Sequence, residues 1–189
     1  MRRAAGAIGA LVAAVLLVPT AAQAGTREAP SPAAPVVRKA APARPVAAVP
    51  KPKVPLPARS GSGRRIVYVM GKHEHVWLVE ADGRVVRDMP GSGRADWPRA
   101  GTYHVFSQSR YSSAPGLTFA YMTRFAHGRK ASIGFHTIPR YNGSGRLTHP
   151  VSQLGLPVGH GGCVHLADKD AAFLYHWAHV GTTVVVIHT

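Results

Sequence analysis

From residue 64 onward the chain consists of short runs of β-branched and aromatic residues cut by turn signals, and this pattern points to a sheet protein. Arg65-Ile66-Val67-Tyr68-Val69 is followed by His75-Val76-Trp77-Leu78-Val79, then by Asp82-Gly83 and Val85-Val86. Asp-Gly between apolar runs predicts a hairpin. Tyr103 and Val105 alternate with polar neighbours, as do Leu117, Phe119 and Tyr121. Ser132 to His136 predicts a short buried strand ending on a polar residue, and Thr183 to Ile187 a nearly continuous apolar one. One segment has helical spacing: Ala171, Leu174, Tyr175 and Ala178 follow Asp168, an N-cap type of residue. Gly181 lies where a left-handed C-terminal cap is common. The expectation is a mainly β domain over 64–189, a small sandwich or barrel with one or two helices, long enough to enclose its own core.

The first 63 residues differ in kind. Arg2 and Arg3, the uncharged run Ala4 to Val18, and Ala22-Gln23-Ala24 match the three parts of a secretory signal over 1–24. The apolar run is shorter than the roughly 20 residues a spanning helix needs. Cleavage before Gly25 is therefore expected, leaving a chain that does not span the membrane. Residues 25–63 are dominated by Pro, Ala and Val with scattered Arg and Lys, and predict an extended, disordered linker.

Charge fits that address. The chain carries a formal +15, with seven basic groups against Glu28 in 25–63 and fourteen against seven acidic groups in 64–189. A basic exported protein is drawn to polyanions, which outside a cell include anionic wall polymers. No aromatic-basic motif accompanies the charge, so specific nucleic-acid binding is not expected. The expected location is extracytoplasmic, secreted or in the cell wall.

There is one cysteine, so no disulfide can form within the chain. It lies in Gly155-Leu-Pro-Val-Gly-His-Gly-Gly-Cys-Val-His-Leu166, behind two glycines and ahead of the expected helix. Glycines permit a sharp turn with exposed amides, so the N–H groups of Gly162 and Cys163 are candidates to hold a developing oxyanion. A free thiol with a pKa of about 8.5 needs a basic partner near neutral pH. His136, His160 and His165 are the candidates. The backbone carbonyl of Thr137 is placed to orient the imidazole of His136. A rival use is metal binding by His160, Cys163 and His165, or by His73 with His75. No Cys-x-x-Cys or His-Glu-x-x-His pattern supports it, and no metal or organic cofactor is expected.

The run from Gly134-Phe135-His136 through Leu154-Gly155-Leu156-Pro157 to Gly162-Cys163-Val164 resembles the L,D-transpeptidase catalytic domain, also called YkuD. Gly181-Thr182-Thr183-Val184-Val185-Val186-Ile187 resembles that family's last strand, and Trp97-Pro98-Arg99-Ala100-Gly101-Thr102-Tyr103 its Thr-Pro-x-Gly-x-Tyr segment. The resemblance implies a cysteine acyltransferase acting on the stem peptides of peptidoglycan through a thioester. Cys163 would be the nucleophile and His136 the proton donor and acceptor. Hydrolysis of the same substrate, or a wall-binding relative without activity, are the alternatives. The family's Ser-His before Gly-Cys is His160-Gly161 here, and its Arg or Asn two residues after the Cys is His165. His160 would then supply part of the lost hydrogen bonding, and His165 stands at the position for substrate contact.

Overall fold

The computed structural model describes residues 53–189. The signal peptide expected at 1–24 and the linker as far as residue 52 lie outside the described residues. Ten strands and one α-helix are arranged as two sheets. In chain order they are β1 (Arg65–Met70), β2 (His75–Val79), β3 (Val85–Pro90), β4 (Gly101–His104), β5 (Ser107–Ala114), β6 (Leu117–His127), β7 (Ser132–Thr137), β8 (Arg140–Tyr141), β9 (Val164–Leu166), α1 (Asp168–Trp177) and β10 (Thr183–His188). The first sheet runs β3-β2-β1-β10-β4, and the second β5-β6-β7-β9 with β8 paired to β6. The sheets do not close into a barrel.

Two parallel pairings organise the fold. β1 lies parallel to β10, and β7 parallel to β9. Asp82-Gly83 forms the expected turn between β2 and β3, where Gly83 N–H donates to Glu80 O at 3.0 Å. The main core collects one face of each sheet: Ile66, Tyr68, Val76, Leu78 and Val184 from the first, Ile133, Phe135, Val164 and Leu166 from the second, and Ala171 and Leu174 from α1.

β1 is buried along its whole length. Its second face belongs to another cluster, Val67, Val69, Trp77 and Val79, against which Leu56 packs. Residues 53–63 thus lie against the first sheet, although composition groups them with the linker. Trp77 Nε1 donates to Val54 O at 2.9 Å, Lys53 N–H donates to Asp88 at 3.2 Å, and Arg65 Nε donates to Ser60 O at 2.6 Å. A strand covered on both faces reads as a continuous apolar run, which explains the lack of alternation in Ile66-Val67-Tyr68-Val69.

The helix ends differ from expectation. Ala167 is the N-cap and makes no side-chain cap bond, while Asp168 is already inside the first turn. Asp168 accepts from Arg140 Nη2 at 3.0 Å instead. Ala178, in extended conformation, closes the other end by donating its N–H to Leu174 O. Gly181 falls in the following turn, where its N–H donates to Val105 O at 2.7 Å.

Candidate active site

Strand register assembles the site. β7 and β9 pair Phe135 with Val164 and His136 with His165. Side chains alternate along a strand, so Val164 enters the core while His165 and the preceding Cys163 face the other way. In the same register Gly134 stands beside Cys163. His136 is then the diagonal neighbour of Cys163 on one sheet face.

Cys163 is half-buried and opens into a cleft of about 890 Å³. Three segments wall it: Arg94, Asp96 and Trp97 after β3, residues 128–131 between β6 and β7, and Gly161-Gly162 before the thiol. Gly162 has no room for a side chain, since a Cβ there would lie 2.5 Å from Trp97 and 2.7 Å from Ile133. The thiol lies 3.7 Å from Ser132 O, its hydrogen-bond acceptor. Burial pushes the Cys163 pKa up, opposed by a backbone hydrogen bond from Gly134 and the positive charge of Arg124. The resting group is therefore a thiol that requires a base.

His136 is 2 % exposed. Its Nδ1 donates to Thr137 O at 2.7 Å, which fixes the tautomer and leaves Nε2 with the lone pair. Its ring stacks on Phe119 with centroids 4.2 Å apart. Burial lowers its pKa to about 4, the Thr137 bond opposes this, and Arg124 adds to the lowering. Thr137 is held in turn, since its Oγ1 accepts from Ala120 N–H at 3.0 Å.

His165 and His160 occupy different ground from Cys163. The His165 ring lies 5.0 Å from that of His136. His149 Nδ1 is 3.2 Å from Pro150 O and must donate to it, so its Nε2 accepts from His165 Nδ1 at 2.9 Å. Burial, then the neighbouring His136, His149 and His160, lower the His165 pKa to about 2. His149, His160 and His165 line a smaller pocket of about 350 Å³ and are not among the residues that wall the Cys163 cleft. His73 sits in the exposed turn before β2, while His75 Nε2 bonds Asp88 at 3.1 Å. Among the described residues no group of three His, Cys, Asp or Glu side chains is arranged to hold a metal ion.

Several neighbours have no local sequence signal. Phe119, Arg124 and His149 reach the site through strand pairing and loop return. The loop carrying Arg94 is set from the core: Glu74, 1 % exposed, accepts from Gly93 N–H and from Tyr68 OH. Gly93 O accepts from Gly159 N–H at 2.7 Å, and Ser92 exchanges backbone bonds with His165 at 2.8 and 2.9 Å.

Comparison with known proteins agrees with this architecture. A family model for the L,D-transpeptidase catalytic domain, YkuD, matches residues 44–187. The chain belongs to this family. An L,D-transpeptidase from Stackebrandtia nassauensis is similar in structure, with a TM-score of 0.51 and 22% identity over 67% of this chain and 56% of the other. L,D-transpeptidase 3 from Mycobacterium tuberculosis, solved with a faropenem-derived adduct, gives 0.48 and 22% identity over 66% and 61%. The chain therefore spans less than two thirds of the length of these solved relatives. A search of curated proteins found no match.

Proposed function

We propose that this chain is an exported peptidoglycan L,D-transpeptidase using Cys163 as nucleophile and His136 as general acid and base. The observation that carries the proposal is a sole cysteine at a cleft, one diagonal step on the same sheet face from a buried imidazole with a fixed tautomer. His136 Nε2 takes the thiol proton, and the thiolate attacks the carbonyl carbon joining an L-centre to a D-residue of a stem peptide. The carbonyl oxygen becomes an oxyanion held by the N–H groups of Gly162 and Cys163. The C–N bond breaks, His136 returns its proton to the leaving amine, and a thioester remains. An amine of a second stem peptide attacks the thioester, loses a proton to His136 and forms the new amide as the thiol is released.

Export fits the composition of residues 1–24, and contact with wall polymers fits the basic charge. Among the described residues no helix is long and apolar enough to cross a membrane.

Intact mass after incubation with a stem tetrapeptide or a carbapenem tests the chemistry. An adduct on Cys163, absent in Cys163→Ala, is expected, together with a cross-linked product when an acceptor amine is present. Free tripeptide with no cross-link would mark a hydrolase instead. His136→Ala should lower the acylation rate by about 10²-fold or more. Turnover by Cys163→Ala would end the proposal.

A further inference from the structure

The resemblance puts an Arg or Asn two residues after the nucleophile, where this chain has His165, a half-buried ring bonded to His149 and outside the Cys163 cleft. Positive charge stands elsewhere. Arg94 lines the cleft from the segment after β3, Arg129 and Lys130 line it from the turn between β6 and β7, and all three are exposed. None of them forms an ion pair among the described residues. Asp96 is the one carboxylate on the lining. The loop bearing Arg94 is closed on itself, Trp97 N–H donating to Arg94 O at 3.3 Å.

Unpaired like charges crowded about a concave site repel one another, and an anionic ligand relieves that repulsion. Low-dielectric walls such as Trp97 and Ile133 strengthen the effect by focusing the field. Arg94 and the Arg129-Lys130 turn come from different segments of the cleft that Cys163 lines, so a peptide bound there shares the cleft with three cations.

We propose that Arg94, Arg129 and Lys130 select an acyl donor whose carboxylates beside the scissile bond are free rather than amidated. The inference rests on the function proposed above and names its substrate class. It gives the donor's charge recognition to the cleft rim, in place of the position after the cysteine.

Binding separates this claim from the chemistry. Full-length Cys163→Ala protein is titrated calorimetrically with a stem tetrapeptide bearing free carboxylates and with the same peptide amidated. The free form is expected to bind about tenfold tighter, a ratio that three exposed charge contacts can supply. Adding Arg94→Gln, Arg129→Gln and Lys130→Gln should bring the ratio close to one by weakening only the free form. Raising salt to about 0.5 M should narrow it too, as screening shortens the reach of exposed charges. Thermal melting shows whether the triple variant keeps its fold, and single substitutions carry the test if it does not. Equal affinity for the two peptides, no measurable binding of either, or a preference that survives the substitutions would overturn the inference. Selective binding without acylation of unmodified Cys163 would instead leave the rim assignment standing and remove the transpeptidase proposal.

Discussion

Gly134 has two neighbours that matter: Arg124 on β6 faces it in register, and Cys163 stands beside it, one residue before β9. A Cβ at Gly134 would come within 2.4 Å of Thr123 O, so backbone approach demands glycine. Ser109 Oγ and Ser112 Oγ hold the guanidinium at 2.8 and 3.2 Å. Its charge favours thiolate at Cys163 and neutral imidazole at His136. Arg124→Gln should shift the midpoint of the pH profile for Cys163 alkylation to higher pH, with Arg124→Lys restoring part of it. An unchanged midpoint would show that the guanidinium does not act on the thiol. Cys163 and His136 are legible in the sequence because each sits in a local pattern of glycines or strand residues. Arg124 is not, since nothing near it in the chain refers to a cysteine 39 positions later.

Among the elements, the strands were the most readable, because β-branched runs and Asp82-Gly83 act locally. The boundary at residue 63 was not, because Leu56 and Val54 are sparse apolar groups whose partners, Val67 and Trp77, lie on strands still to come. The helix shows the same limit. Its N-terminus is fixed by tertiary contacts rather than a cap: Asp170 accepts from Arg87 Nε at 2.9 Å, linking α1 to β3. Asp170 is buried, and its partner retains moderate exposure. Asp170→Ala should therefore cost about 1.5–3 kcal/mol in urea unfolding, the range for hydrogen bonds to charged groups. A loss below about 0.5 kcal/mol, as for ordinary surface substitutions, would assign the helix's attachment to Ala171 and Leu174 alone.

For the molecule as a whole, His136 makes stability depend on acidity. Its folded pKa of about 4 lies below the ordinary histidine value of 6.5. As pH falls below 6.5 the unfolded chain gains a proton that the folded chain refuses until about 4. The contribution is complete above the upper value and lost towards the lower one, amounting to about 3 kcal/mol. His165 acts in the same direction. Denaturant unfolding followed from pH 7 to pH 4 should show this decline, and His136→Gln should flatten it. Equal slopes in the two proteins would remove His136 as the cause.

The bracing around Gly93 has a mechanical corollary. Glu74 grips that residue from the core, and Gly93 in turn grips Gly159, so the two segments move as one piece. The third, residues 128–131, has its own internal bond, Gly128 N–H to Ala131 O at 2.9 Å, and no share in that clamp. The aperture is therefore tied to the core through Gly93 on two of its three sides, and the turn at 128–131 is held there only through the ends of β6 and β7.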